Sequence, residues 1–205
     1  MNLYWKNVLS ALGISGVVVL LVAACGGGGD GGSAPNVAGD YVFSVSSFTV
    51  ECTDGSRFVA DGSSEVVRVT QSGNAITVQS LTFSAGALAN LLGVDILDAS
   101  QSGRVRSDST FSLEESATLR DRFDGDIYDV RVNLDGTFSD DGWSGQGRYS
   151  LGSRLLNVTC NALTPFSGAK VAAGAELRSD PSLTGAVPFD VYDSPGVVFR
   201  ILGIQ

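Results

Sequence analysis

The chain has no histidine, and lysine occurs only as Lys6 and Lys170 among 205 residues. Without imidazole, the Ser-His-Asp and Cys-His forms of nucleophilic catalysis are excluded, as is any histidine-ligated zinc centre. Positive charge is also in deficit, with 13 basic side chains against 22 acidic ones and a net charge of −9. A chain of that sign is repelled by phosphate backbones and anionic headgroups, which argues against a nucleic-acid partner. Cysteine is scarce, with three residues and no C-x-x-C spacing to mark a redox or thiolate metal site. The longest apolar run, residues 8–22, is about fifteen residues, short of the roughly twenty that a spanning helix needs.

What remains at the N-terminus has a recognisable order. Residues 1–7, MNLYWKN, carry Lys6 and the α-amino group, and the apolar run then gives way to small residues. That order is a secretory signal. Leu21-Val22-Ala23-Ala24-Cys25 resembles the lipobox of bacterial lipoprotein precursors. The resemblance implies a signal peptide over residues 1–24 and cleavage before Cys25. That cysteine would then carry diacylglycerol on its sulfur and a further acyl chain, such as palmitate, on its amino group. Gly26, in place of aspartate, implies the outer membrane. The stretch from Cys25 to Asn36 is rich in glycine, and such chain behaves as a flexible tether. More than one acyl chain on one residue satisfies the requirement for stable membrane anchoring.

The mature chain loses Lys6, leaving twelve basic against 22 acidic side chains and a net charge near −10. Setting Cys25 aside leaves Cys52 and Cys160, an even pair in an exported protein, which is expected to form a disulfide. The Cα separation expected for such a bond is about 4.4–6.8 Å. Residues 37–205 are long enough for one domain with a full core.

Hydrophobic periodicity over that domain is two rather than 3.6. Tyr128, Val130, Val132 and Leu134 alternate with Asp129, Arg131 and Asn133. Tyr41, Phe43 and Val45 share one face, and a phase shift at Ser46-Ser47 before Phe48, Val50 and Cys52 predicts a bulge. Residues 66–71 and 75–83 flank Ser72-Gly73-Asn74, a hairpin loop. Asp135-Gly136 and Ser194-Pro195-Gly196 are predicted as further turns. Alternation extends over 111–115, 143–151, 155–160, 187–193 and 196–205, with Gly145 and Gly147 at positions suited to close approach. Only residues 84–97 break the pattern. There Leu88, Leu91 and Leu92 fall at helical spacing, and Gly93 marks a stop. The fold class expected is all-β, an antiparallel barrel or sandwich of about nine or ten strands with one short helix. The arrangement resembles the calycin-like barrels of envelope lipoproteins. Gly39-Asp40-Tyr41 is loosely similar to the Gly-x-Trp start of lipocalins, with the tryptophan missing.

Candidate chemistry is sparse. Gly142-Trp143-Ser144-Gly145-Gln146 approaches a G-x-S-x-G elbow but departs at its fifth residue and has no base to activate the serine. The turn around Asp124, Asp126 and Asp129, with Asp135, Asp140 and Asp141, offers oxygens to Ca²⁺ but lacks the EF-hand pattern. The alternative there is a solvated turn in which Arg120 and Arg122 pair with aspartates. The reading is therefore no enzyme, no metal and no cofactor. Tyr41, Phe43, Tyr128, Trp143 and Tyr149 are either filled core or the lining of a cavity for a hydrophobic ligand. Two functional classes follow. One is a membrane-anchored envelope module that binds a lipophile or partner protein. The other is a structural or accessory envelope protein with a filled core and no ligand.

Replacing the lipobox cysteine, Cys25→Ala, is expected to release the protein from membranes or to leave an uncleaved precursor. Intact-mass analysis of the wild-type membrane form should give a chain beginning at residue 25 with acyl chains attached. A mature chain with an unmodified thiol at that position would contradict the expectation.

Overall fold

Residues at period two can bury one face by packing two sheets together or by closing one sheet on itself. In the computed structural model, which describes residues 33–81 and 85–171, ten antiparallel strands do the latter. They are β1 (Gly39–Val45), β2 (Phe48–Cys52), β3 (Arg57–Ala60), β4 (Ser63–Ser72), β5 (Ala75–Ser80), β6 (Val94–Val105), β7 (Thr110–Asp121), β8 (Ile127–Ser139), β9 (Gly142–Ser153) and β10 (Val158–Lys170). Neighbours run β1-β4-β5-β6-β7-β8-β9-β10, and β10 pairs back onto β1. The result is a closed eight-stranded barrel with β2 and β3 as extra strands. Cys25, the residues before it, and the predicted strands at 187–193 and 196–205 with their Ser194-Pro195-Gly196 turn lie outside the described residues.

β10 has two partners along its length. Its end, Phe166–Lys170, pairs with β1, while Cys160–Ala162 pairs with β2. β1 and β2 thus run as one interrupted strand, broken at the Ser46-Ser47 phase shift that the sequence predicts. β3 and β4 are interrupted at Asp61-Gly62 in the same way. At the far end of β2, Cys52 faces Cys160 and the two are disulfide-bonded, with Cα atoms 3.9 Å apart. This is closer than the expected window. The next pair, Thr53 and Thr159, is joined by a backbone hydrogen bond of 2.9 Å. The cysteines therefore occupy the closely spaced, non-hydrogen-bonded position of an antiparallel ladder.

Both ends of the described chain lie at one rim, here the near rim. Val37 N–H donates to Gln71 Oε1 at 2.7 Å, Tyr41 Oη donates to the Val37 carbonyl at 2.7 Å, and Val171 N–H donates to the Asp40 carbonyl at 2.8 Å. Just inside this rim Tyr41, Phe43, Phe111, Phe138, Trp143 and Phe166 form one aromatic cluster with ring centroids 4.7–6.1 Å apart. Aromatic pairs at such distances stabilise beyond their buried area.

That cluster explains why one turn prediction fails. Asp135 and Gly136 lie inside β8, and the hairpin turns instead at Asp140-Asp141. Gly136 faces Gly145 across the β8–β9 ladder. A Cβ at Gly136 would come 2.9 Å from the Phe111 ring, and one at Gly145 would come 2.8 Å from Phe166. The two glycines form a floor for the rings. Gly145 is thus the close approach that the sequence predicts. The alternation predicted over 155–160 also needs correction. Residues 154–157 are a turn, β10 begins at Val158, and Leu155 and Leu156 are exposed on the loop.

The short helix, α1 (Ala85–Leu92), is present and stops at Gly93, whose φ is +68°. Residues 94–97 of the predicted helical stretch belong to β6 instead. The helix connects β5 to β6 at the far rim and turns Ala85, Ala89 and Leu92 toward the core.

Removing the staple, Cys52→Ser with Cys160→Ser, is expected to lower stability by roughly 2–4 kcal/mol, the usual effect of a long-loop disulfide. Urea denaturation of the oxidised wild type against the double variant measures it. A loss under about 1 kcal/mol would show that the β10–β2 pairing holds without the covalent bond.

Candidate functional site

The barrel wall is complete except at one seam. β5 and β6 share a single bridge, Ala75 with Arg104, extended by a Val105 N–H to Asn74 carbonyl bond of 2.8 Å. Beyond it the backbones diverge. The Gln101 side chain, 5% exposed, fills the gap by accepting from Val78 N–H at 2.9 Å and donating to the Val78 carbonyl at 3.0 Å. A primary amide here replaces the missing peptide partner, since Val78 would otherwise leave two buried backbone groups unsatisfied. β5 ends at Ser80, and α1 follows across the far end of the seam.

Behind this seam the interior changes character. The near-rim level is aromatic. The next levels carry Glu65 from β4, Ser80 from β5, Gln101 from β6, Glu115 from β7 and Tyr149 from β9, among Ala60, Ala99, Ala117 and Ala162. The register sets Gln101, Glu115, Val132, Tyr149 and Ala162 side by side across five strands. Glu65 is mostly buried, and its Oε2 accepts from Ser80 Oγ at 2.9 Å. Burial pushes its carboxyl from an ordinary 4.5 up to about 7, against the lowering effect of the Ser80 bond. Tyr149 stacks on Phe48 with centroids 5.7 Å apart and planes 13° from parallel. Burial, and secondarily the Glu65 carboxylate, pushes the phenol well above its ordinary range. Its Oη is buried and has no hydrogen-bond partner. Native proteins leave few such groups, so each calls for an explanation.

Trp143 Nε1 is likewise without an acceptor, but the indole edge lies directly on the Gly168 backbone inside the aromatic cluster. The level around Tyr149 differs in carrying small side chains, Ala99, Ala117 and Ala162.

The five aromatic residues proposed from sequence as core or cavity lining are not at one place. Tyr41, Phe43 and Trp143 belong to the near-rim cluster. Tyr149 sits at the polar level, and Tyr128, 1% exposed, lies at the start of β8 by the far rim. The candidate calcium turn is occupied by its own chain. Asp126 Oδ1 accepts from the Ile127 and Leu155 amides at 2.7 and 2.8 Å, and Oδ2 accepts from Ser153 Oγ. Asp129 is bidentate with Arg154, at 2.8 Å for both bonds, and Asp135 pairs with Arg148 at 2.8 Å. Arg120 and Arg122 do pair with an aspartate, but it is Asp95 on β6, at 3.0 and 2.8 Å. Among the described residues no group of three or more Cys, Asp or Glu side chains is placed to hold a metal. Ser144, of the near-miss elbow, points outward from β9.

Glu65, Gln101 and Glu115 are absent from the sequence-based candidates. Their signal was phase. Glu65 shares the inward register of Val67 and Val69, and Glu115 that of Phe111, Leu113, Ala117 and Leu119. A charged residue on the apolar phase of a strand marks a buried polar site.

No protein-family model, no curated protein and no solved structure matches the chain. The fold and the site define it as a closed antiparallel barrel with an aromatic plug at one rim and a buried polar level behind a wall seam.

Glu65 gives the barrel a pH dependence with a definite sign. Its folded-state value lies above its unfolded one, so the folded state holds the extra proton between pH 4.5 and about 7. Stability from this group is therefore greatest below 4.5 and declines as pH rises through that window. The full difference corresponds to about 3 kcal/mol as an upper figure. Glu65→Gln is expected to stabilise the protein above pH 7 and to change little near pH 4.5, as read by denaturant midpoints at the two pH values. The aspartates held low by arginine, Asp40, Asp95 and Asp129, respond only when pH falls below 3.8 and do not overlap this window. A wild type and variant with parallel pH profiles would show that Glu65 is not desolvated.

Proposed function

We propose that the protein is a lipid-tethered, non-enzymatic binding protein of the bacterial envelope, anchored in the outer membrane through acyl chains on Cys25, whose barrel interior takes a small apolar ligand. The observation that carries the ligand-binding reading is the unpartnered Tyr149 hydroxyl, buried beside Glu65 behind the β5–β6 seam. A core selected only for stability would fill this level with apolar side chains, as it does at the near rim, because each unsatisfied buried polar group costs roughly 1–3 kcal/mol. Tether geometry fits the same reading. The described chain begins at the near rim, where Val37 N–H donates to Gln71 Oε1, so a tether from Cys25 would join the barrel at the rim that the aromatic cluster closes.

A second reading, docking to another envelope component, is favoured by the far-rim loops. There Phe123 is 88% exposed, Leu155 65% and Leu156 46%. The buried Asp126 carboxylate joins the two loops that carry them.

Titration with the apolar dye Nile red distinguishes the two. The lipidated protein in nanodiscs should show saturable binding beyond that of empty nanodiscs. Ala117→Trp, which adds bulk at the polar level, should abolish the saturable component without altering the fold read by circular dichroism. Leu155→Ser with Leu156→Ser should leave it intact. Loss of the dye signal in the loop variant alone would transfer the argument to the rim.

A further inference from the structure

The interior level just described has a charge imbalance that specifies its ligand more closely. Its inward-facing titratable groups are Glu65 on β4, Glu115 on β7 and Tyr149 on β9. The described arginines face outward or lie in loops. Those with ion pairs, Arg57, Arg68, Arg120, Arg122, Arg148 and Arg154, pair with carboxylates on the outer surface or at the rim. No described basic residue therefore reaches the interior level. Among the described residues Glu65 has one hydrogen-bond partner, the Ser80 hydroxyl, and a carboxylate has room for about four. Beside it the Tyr149 Oη has none. The surrounding side chains are apolar or small: Phe48 stacked on the phenol, with Ala99, Ala117, Val132 and Ala162.

Resting on the reading that the interior takes a ligand, we infer that the ligand is a small amphiphilic amine, whose ammonium group donates to the Glu65 carboxylate and to the Tyr149 Oη while its apolar body lies against Phe48 and the alanines. An ammonium supplies three donors and a charge. It satisfies the two atoms that the protein leaves short, and it neutralises a carboxylate that the barrel desolvates without a cation of its own. A carboxylate ligand would face the Glu65 carboxylate with like charge. A neutral alcohol would satisfy one hydrogen bond and leave the charge unpaired. The seam is the place where a ligand would enter, by displacing the Gln101 side chain, because past the Ala75–Arg104 bridge the wall is held by that side chain rather than by a backbone ladder.

Calorimetric titration of the full lipidated protein in nanodiscs, with empty nanodiscs as reference, tests this with hexylamine, hexanol and hexanoate. At about pH 8 hexylamine should bind at least about tenfold more tightly than hexanol, and hexanoate should give no saturable heat. Amine affinity should fall on the order of a hundredfold between about pH 8 and about pH 5 as the Glu65 carboxyl, at about 7, takes up its proton, while hexanol affinity stays level. Glu65→Gln should erase the preference for amine over alcohol and the pH dependence together, and Tyr149→Phe should weaken the amine several-fold. The wild-type pH profile keeps the test decisive even if a variant does not fold. Equal binding of hexanol and hexylamine, or an amine affinity flat with pH, would overturn the ammonium assignment and leave interior binding standing. Absence of saturable binding by all three would sink both.

Discussion

Everything in this barrel depends on what β10 pairs with. An eight-stranded sheet that does not close exposes two edges, each a row of unpaired backbone groups open to association with other chains. β10 satisfies its β9 neighbour over twelve residue pairs and divides its other edge between β1 and β2. The division works because the first strand is interrupted at Ser46-Ser47, so that its two halves can follow β10 at different angles. The Cys52–Cys160 bond then fixes the half farther from closure. Without that bond β2 and β3 would be a short hairpin held at the barrel edge by three pairings to β10.

Closure also sets the interior problem. A barrel of this size has just enough room for side chains to fill it. The near rim solves it with six aromatic rings, among which Phe111 and Phe166 lie over the facing Gly136–Gly145 pair, where a side chain would collide with them. The middle of the barrel solves it differently. There the wall itself is short of a strand, since β5 has six residues against twelve for β6. Gln101 replaces a peptide group, α1 covers the remainder, and the inward positions carry two carboxyls, a phenol and alanines. The interior is thus divided along the barrel axis, with the aromatic plug at the near rim and the polar level beyond it.

The exposed charges contribute little to this arrangement. Arg68 with Asp40 and Arg148 with Asp135 are solvent-facing pairs between neighbouring strands, and Arg154 with Asp129 joins the turn after β9 to β8. Pairs of that kind, screened by solvent, contribute little to stability. Arg68 with Asp40 and Arg148 with Asp135 each favour one alignment of their two paired strands. The consequential electrostatics are inside, where the desolvated Glu65 is felt by the neighbouring Tyr149 phenol.

By itself the sequence determined the secondary structure over most of the described chain, because alternation at period two reports directly which side chains share a face. Tyr41-Val42-Phe43, Leu113 through Leu119, and Tyr128 through Leu134 are legible in that way, as are the break at Ser46-Ser47, the stop of the helix at Gly93 and the even pair of cysteines. Long-range approach decided what local pattern could not. Asp135-Gly136 has the chemistry of a turn, yet it lies within a strand because Phe111 and Ser144 need the space over Gly136. Leu155 and Leu156 have the apolarity of a strand, yet they sit on an exposed loop because Asp126 and Ser153 cap the turn before β10. Glu65 was legible as an inward-phase acid, but its isolation was not. Whether an arginine shares its interior, and whether Tyr149 finds an acceptor, depends on residues up to 84 positions apart being brought to one level. Only the closed barrel brings them there, and only its low-polarity interior turns an ordinary glutamate into a group that still holds its proton near neutrality.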